Sequence, residues 1–337
     1  MIAIYSEEDI IDDIALFKED FPQWNKIINS GIDICLNIND KKLTAKLSDY
    51  EDPLYLALQS SGSMKIPVAL DNFFKQINED FTAILDKPRS IFLLDIDEAT
   101  STRIQNDYGM AVYSVKNIPK TLFNIRHYKD LNKGEKINNG WKGVFQFTKP
   151  LSNSLIISDS HFFKNEDRDG NLGIANLIQF LDAYLPDKLA IEYHVTIFAE
   201  NSNKSNEWWI SEFGKLITKI KKLREFQISM ELILYESIHP RKLISNYANC
   251  RTDQGFDIFY TKDFEKIRLD NEFEYNEIFF NLENEGTNHF KSVSKAISSL
   301  EQNFFEVSEY VKAKGNTKDR MLFGCNKDKS IKNRLLN

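Results

Sequence analysis

The sequence predicts an α/β protein of two domains, the second built on a mainly parallel sheet. Three observations carry this. At 337 residues the chain exceeds the usual single-domain size and can bury two cores. In its second half, apolar strand patterns alternate with helical ones, the order that gives crossover units and helices on the faces of a parallel sheet. Between the halves, Asp130 to Trp141 is rich in Lys, Asn and Gly and lacks periodicity, which places a linker there. The expected division is an N-terminal mixed α/β domain over 1–135 and a second domain over 145–337 with a C-terminal helix and a basic tail.

Composition excludes several classes. Hydrophobic residues make up 42% of the chain, a soluble globular value, and no run of about 18 apolar residues could span a bilayer. The start, Met1 to Asp9, lacks the positive region of a signal peptide, so a cytoplasmic location is expected. Cys35, Cys250 and Cys325 are odd in number and far apart, which suggests neither a disulfide framework nor a zinc site, and no cofactor is implied. The net charge of −7 is uneven: residues 312–337 hold eight basic and two acidic side chains, leaving −13 on the rest. Such a tail can contact nucleic acid or another acidic surface; a solvated polar terminus is the plainer reading.

In chain order, Glu7 to Phe21 spaces Ile10, Ile11, Ile14, Phe17 and Phe21 as a helix that Pro22 ends. Ile32 to Ile38 alternates as a strand with one wet face, Asn39-Asp40 reads as a turn, and Lys42 to Leu47 as its hairpin partner. Pro53 to Gln59 and Asp71 to Ile84 read as helices, Ser90 to Ile96 and Ala111 to Val115 as strands. Asp95, Asp97 and Glu98 leave the first of these strands as a cluster that could hold a metal, although Asp97 as N-cap of the helix Glu98 to Asn106 explains it more simply. In the second half the strands are Ser154 to Ser158, Leu189 to Ala199 and Gln227 to Tyr235, with helices Leu172 to Leu185 and Trp208 to Arg224 between them. A last helix, Asn288 to Val311, carries an apolar stripe from Phe290 to Val311 that packs on the sheet or on a second copy.

Ligands of parallel sheets gather at the carboxyl ends of strands. Asp159 and His161 fall at one such end, Glu200 at a second, and His239 and Arg241 at a third. Two short strand patterns follow, Lys242 to Tyr247 and Gly255 to Tyr260, joined by a polar stretch in which Asp253-Gln254-Gly255 reads as a hairpin turn. Other candidates have plainer roles. His194 lies within an apolar strand as a satisfied core residue, Trp208 and Trp209 anchor a helix start, and Lys215, Lys219, Lys221, Lys222 and Arg224 form a solvated helix side rather than a nucleic-acid face.

The spacing His239, any residue, Arg241, four residues, Asn246 resembles the His-x-Lys-x4-Asp signature of the phospholipase D superfamily. The wider pattern is similar to the single-motif domain at the C-terminus of microtubule-interacting-and-transport proteins, through Leu155-Ile156-Ile157-Ser158-Asp159 and Gly255-Phe256-Asp257, and covers roughly 152–259. The resemblance implies that His239 attacks a phosphodiester while Arg241 and Asn246 stand where the family has lysine and aspartate, with Asp159, His161 and Lys242 on the ligand side. Arginine still binds phosphate, in a bidentate way, but asparagine removes the carboxylate that the family keeps. A module that binds nucleic acid or another anion is therefore the leading expectation. A phosphodiesterase or nuclease is the second; it requires a homo-oligomer, because the family uses two motifs and this chain has one. A structural or regulatory subunit is the third. Some single-motif relatives look like parts of bacterial antiphage systems, a setting that comes by analogy alone.

Overall fold

The computed structural model describes residues 2–59, 66–164, 166–167, 170–201, 203–236, 241–282 and 289–337. The chain divides into two compact units, Met1–Ile125 with Ile278–Ser294, and Arg126–Glu277 with Lys295–Asn337. The segment expected as a linker, 130–141, lies inside the second unit.

The first unit holds strands β1 (Ala3–Glu7), β2 (Asp33–Asn37), β3 (Val68–Ala69), β4 (Ile91–Leu94) and β5 (Ala111–Ser114), with helices α1 (Glu8–Leu16), α2 (Pro22–Asn29), α3 (Asp40–Ser48), α4 (Pro53–Gln59), α5 (Asp71–Glu79) and α6 (Glu98–Tyr108). The sheet is parallel throughout, in the order β3-β2-β1-β4-β5. Strands covered on both faces read as continuous apolar runs, and all four residues of β4 are buried. Pro22, expected to end a helix, opens α2 instead, because a proline at the first helical position lacks only an N–H that would have no partner there. Lys42 to Leu47 is not a hairpin strand but part of α3: the Asn39 side chain accepts the Lys42 N–H at 2.9 Å and starts the helix rather than a turn. Asp97 caps α6 as expected, accepting the Thr100 N–H at 2.8 Å.

The second unit holds β6 (Arg126–Leu131), α7 (Trp141–Val144), β7 (Ser154–Ser158), the small ribbon β8 (Glu166–Asp167) and β9 (Gly170–Asn171), α8 (Leu172–Tyr184), β10 (Tyr193–Ala199), α9 (Asn206–Ile220), β11 (Ile228–Tyr235), β12 (Lys242–Ser245), β13 (Ala248–Thr252), β14 (Asn271–Glu277), most of α10 (His289–Lys314) and β15 (Arg320–Phe323). Its main sheet has the order β15-β11-β10-β7-β12-β13-β14-β6. The three strands expected to run parallel, β7, β10 and β11, do so; every other pairing is antiparallel, and the sheet is mixed. The partner of Lys242–Ser245 is Ala248–Thr252, not 255–260, so the hairpin turns at Asn246-Tyr247. One face of the sheet packs Leu155, Ile157, Val195, Ile197, Leu232 and Leu243 into an apolar core with Trp141, Phe180 and Leu216.

The opposite face meets the chain's end, which is not a solvated tail. Asn333 donates to Thr196 Oγ1 at 2.9 Å and to the Leu155 carbonyl at 3.0 Å, and Ile331, Leu335 and Leu336 are buried. The stripe of α10, including Phe290, Ile297, Phe304 and Val311, is buried too, so the apolar surface that suggested self-association is already covered. Among the described residues no helix is long and apolar enough to cross a membrane.

His194 sits near the start of β10, 7% exposed, with Nε2 3.3 Å from Glu192 Oε2. Burial, aided by the Arg334 charge, pushes its pKa down to about 4. The unfolded chain takes up a proton near pH 6.5 that the folded chain refuses, so this stability is complete above pH 6.5 and is lost as the pH falls towards 4. H194Q is expected to flatten that stretch of a stability curve measured by urea titration.

Candidate functional site

Because β7, β10 and β11 run in one direction, Asp159, Glu200 and Glu236 leave the sheet along one edge. β12 runs the other way with Lys242 opposite Ser158, which brings Arg241 in at the same edge beside Asp159. Asp159 is 1% exposed. Its Oδ1 accepts the His161 backbone N–H at 2.9 Å and lies 3.8 Å from Arg241 Nε, while Oδ2 accepts the Phe256 N–H at 3.3 Å. Burial pushes the Asp159 carboxyl above the usual carboxylate range, against the His161 hydrogen bond and the Arg241 charge.

Gly255 makes this approach possible, rather than serving the hairpin. Its φ is +104°, and a Cβ there would come within 2.8 Å of Asp159 Oδ2 and 3.3 Å of Asp257 Oδ1. Arg241 donates through Nη1 to the Asp253 carbonyl, and its side chain is 25% exposed. The guanidinium is thus fixed at two points, by Asp159 and by Asp253, and its Nη2 has no partner among the described residues. Asp257, which the sequence pattern grouped with Gly255, is matched by Arg268 at 2.8 Å.

The other expected site residues are placed differently. Asn246 is fully buried at the far end of β12, accepting from the Asn153 and Ser154 N–H groups at 3.0 and 3.2 Å and donating to Asn153 Oδ1 at 3.1 Å. Five residues of extended chain separate it from Arg241, about 16 Å at the rise of a strand. Lys242 opens β12 opposite Ser158, and His161 is exposed with its backbone N–H donated to Asp159. His239 lies outside the described residues. On α9, Lys215 pairs with Glu212 at 2.5 Å, and Arg224, just beyond the helix, is absorbed by Asp182 and the carbonyls of Asp182, Leu185 and Pro186. Trp209 anchors the helix start through Nε1 to Asn201 Oδ1 at 2.8 Å.

Farther along the same edge is a polar cleft of about 520 Å³ lined by Lys164, Glu200, Asn201, Glu236, Lys318 and Asp319. Lys164 pairs with Glu200. Lys164 carried no signal in the sequence, and Lys318 stands out there only as one of the eight basic residues of 312–337. In the first unit, Glu8, Asp9 and Asp12 bring carboxylates together, but Lys46 reaches Glu8 and Asp12 at 3.3 and 2.7 Å and so occupies two of them. Asp97, from the cluster considered for a metal, is engaged as the α6 cap.

No known family model matches this chain, and no curated protein matches it in sequence.

Proposed function

We propose that the second unit recognises a phosphate-bearing or other anionic ligand, nucleic acid above all, with Arg241 as the principal donor. One observation carries this: a guanidinium fixed by Asp159 and the Asp253 carbonyl, with donor capacity left over, at the strand-end edge where sheets of this kind take ligands. Hydrolysis would need a nucleophile, the role the phospholipase D resemblance gives to His239. Binding is favoured over turnover because Asn246, with its side chain committed to Asn153 and Ser154, is not available to a phosphate held by Arg241.

R241A is expected to weaken binding of a single- or double-stranded oligonucleotide by roughly 1–3 kcal/mol, the size of a lost charge-assisted hydrogen bond. Fluorescence anisotropy titrations of wild type and variant measure it. Equal affinity in the two, or no binding by wild type, rejects the proposal. Cleavage of the same oligonucleotides by wild type and its loss in H239A would establish the enzymatic alternative instead.

A further inference from the structure

We infer that β6, the last strand of the eight-stranded sheet, pairs antiparallel with β6 of a second copy of this chain, Arg126 of each copy standing opposite Asp130 of the other. The pairing is independent of the anion site at Arg241. The stripe of α10 that suggested self-association is covered, but this edge is not. Only β14 pairs with β6 among the described residues, so every second residue of β6 turns its backbone N–H and C=O outward. Of its six residues only Leu131 is buried. The opposite edge differs: β15 has four residues, three of them buried. A long exposed edge is a template for a further strand, and charge decides which strand fits.

The charges along β6 are unbalanced in opposite senses at its two ends. Near the start, Arg126 and Arg251 share the single carboxylate of Glu274, and Arg126 keeps 42% of its side chain exposed. Near the end, Asp130 stands directly opposite Glu272 on β14, a like-charge pair that no cation joins among the described residues. A two-fold axis across the edge lays each surplus on the other.

Parity then fixes the register. Arg126, Tyr128 and Asp130 lie on one face of the strand; His127, Lys129 and Leu131 lie on the face of the apolar core, where the His127 ring stacks on Phe147 at 3.7 Å. A two-fold axis perpendicular to the sheet keeps each face on its own side, so it must pass between one residue and its own copy. At Lys129 it would set two ammonium groups face to face, and at Asp130 two carboxylates. At His127 it pairs only the first three residues of the strand. At Tyr128 it pairs all of 126–130, with two Arg126–Asp130 contacts and the half-exposed Tyr128 rings meeting on the axis. His127 then faces Lys129, and burial holds the His127 pKa below its ordinary value, so it does so uncharged at neutral pH. Within one copy the outward side chains already form a row, with Arg126 over the Tyr128 ring at 5.7 Å and the Tyr128 hydroxyl donating to Asp130 Oδ1 at 2.9 Å. The charges that turn other strands away from this edge therefore match a second copy in one register.

The experiment is sedimentation velocity on the full chain at neutral pH and low salt, over about 1–500 μM, because a pair of short strands is smaller than a standard stable interface and salt screens exposed charges. Wild type is expected to show a reversible monomer–dimer equilibrium. R126D and D130R each turn two opposite-charge pairs into like-charge pairs, and each is expected to raise the dimer dissociation constant about tenfold or more. Mixed in equal amounts, the two variants are expected to form a heterodimer close to wild-type strength, since the reversed charges again face their opposites. The double variant R126D/D130R should regain the homodimer for the same reason, which damage to the fold could not bring about. Wild type that stays monomeric over the whole range overturns the inference. Association that neither substitution weakens shows that the copies, or larger assemblies, meet elsewhere and overturns it too, as does a weakening that the mixture fails to restore. If R126D does not fold, because Glu274 also draws on Arg126, D130R against wild type decides, and an unweakened D130R dimer overturns the inference.

Discussion

Replacing Glu231 by alanine is expected to lower the stability of the second unit by about 3 kcal/mol or more, because two backbone N–H groups and a hydroxyl would lose their acceptor inside the protein. Glu231 is 1% exposed in β11. Its carboxylate accepts the Lys332 N–H at 2.8 Å, the Asn333 N–H at 3.3 Å and the Thr196 hydroxyl at 2.9 Å, which ties the chain's end to the sheet. Burial pushes its carboxyl above the usual range, and the Lys332, Thr196 and Asn333 hydrogen bonds oppose that rise. E231Q retains an acceptor oxygen and should recover part of the loss. Urea denaturation gives the magnitude, and trypsin cleavage at Lys332 and Arg334 should quicken in E231A. A loss under about 1 kcal/mol would mean that the end of the chain is held by its apolar side chains and the Asn333 and Arg334 side-chain hydrogen bonds, without need of Glu231.

The sequence carried a sign of this contact that its composition concealed. Glu231 interrupts Ile228-Ser229-Met230-Glu231-Leu232-Ile233-Leu234, and a carboxylate in a central strand needs buried donors. The basic residues near the C-terminus pointed to solvent instead, because net charge says nothing about backbone N–H groups, and those are what Glu231 binds at Lys332 and Asn333. Elsewhere, legibility followed length. β7, β10 and β11 could be read because long apolar runs flanked by turns leave few alternatives. β1, the central strand of the first sheet, could not: it runs directly into α1, and the acidic helix pattern from Glu7 onwards masks the short run before it.

At the candidate site, the position of Asp159 and Arg241 was legible because strand direction fixes which ends meet. The roles around them were not. Gly255 fits a tight turn and a close approach to a carboxylate equally well in sequence, and only the placement of Asp159 Oδ2 decides between them. Asn246 kept the motif's spacing, but spacing along a chain does not say whether five residues are extended or folded back. In β12 they are extended as far as Ser245, so the side chain ends among Asn153 and Ser154.

In the first unit, K46M is expected to destabilise by about 3–5 kcal/mol, the usual cost of removing one partner from a buried charge cluster. Lys46 is 13% exposed in its side chain, and its Nζ lies 2.7 Å from Asp12, 3.0 Å from Asp52 and 3.3 Å from Glu8. Burial alone would lower the Lys46 pKa, but the hydrogen bonds and charges of Asp12 and Asp52 raise it above its ordinary value. Burial likewise holds Asp12 above the usual carboxylate range, and Lys46 is the group that pulls it down. Methionine fills a similar volume without charge, so the substitution separates charge from packing. It leaves Asp12 and Asp52 without their cation, and Glu8 with Lys42 alone at 2.5 Å. The Asp12 pKa in the folded variant then rises further above its unfolded value. A carboxyl shifted upwards in the folded state is disfavoured there once ionised, so the deficit of K46M is full above the raised pKa and shrinks as the pH falls through it towards the ordinary carboxylate range. Chemical denaturation of wild type and K46M at neutral pH and near pH 4 measures both parts. A deficit that is independent of pH would show that Lys46 contributes packing and not charge.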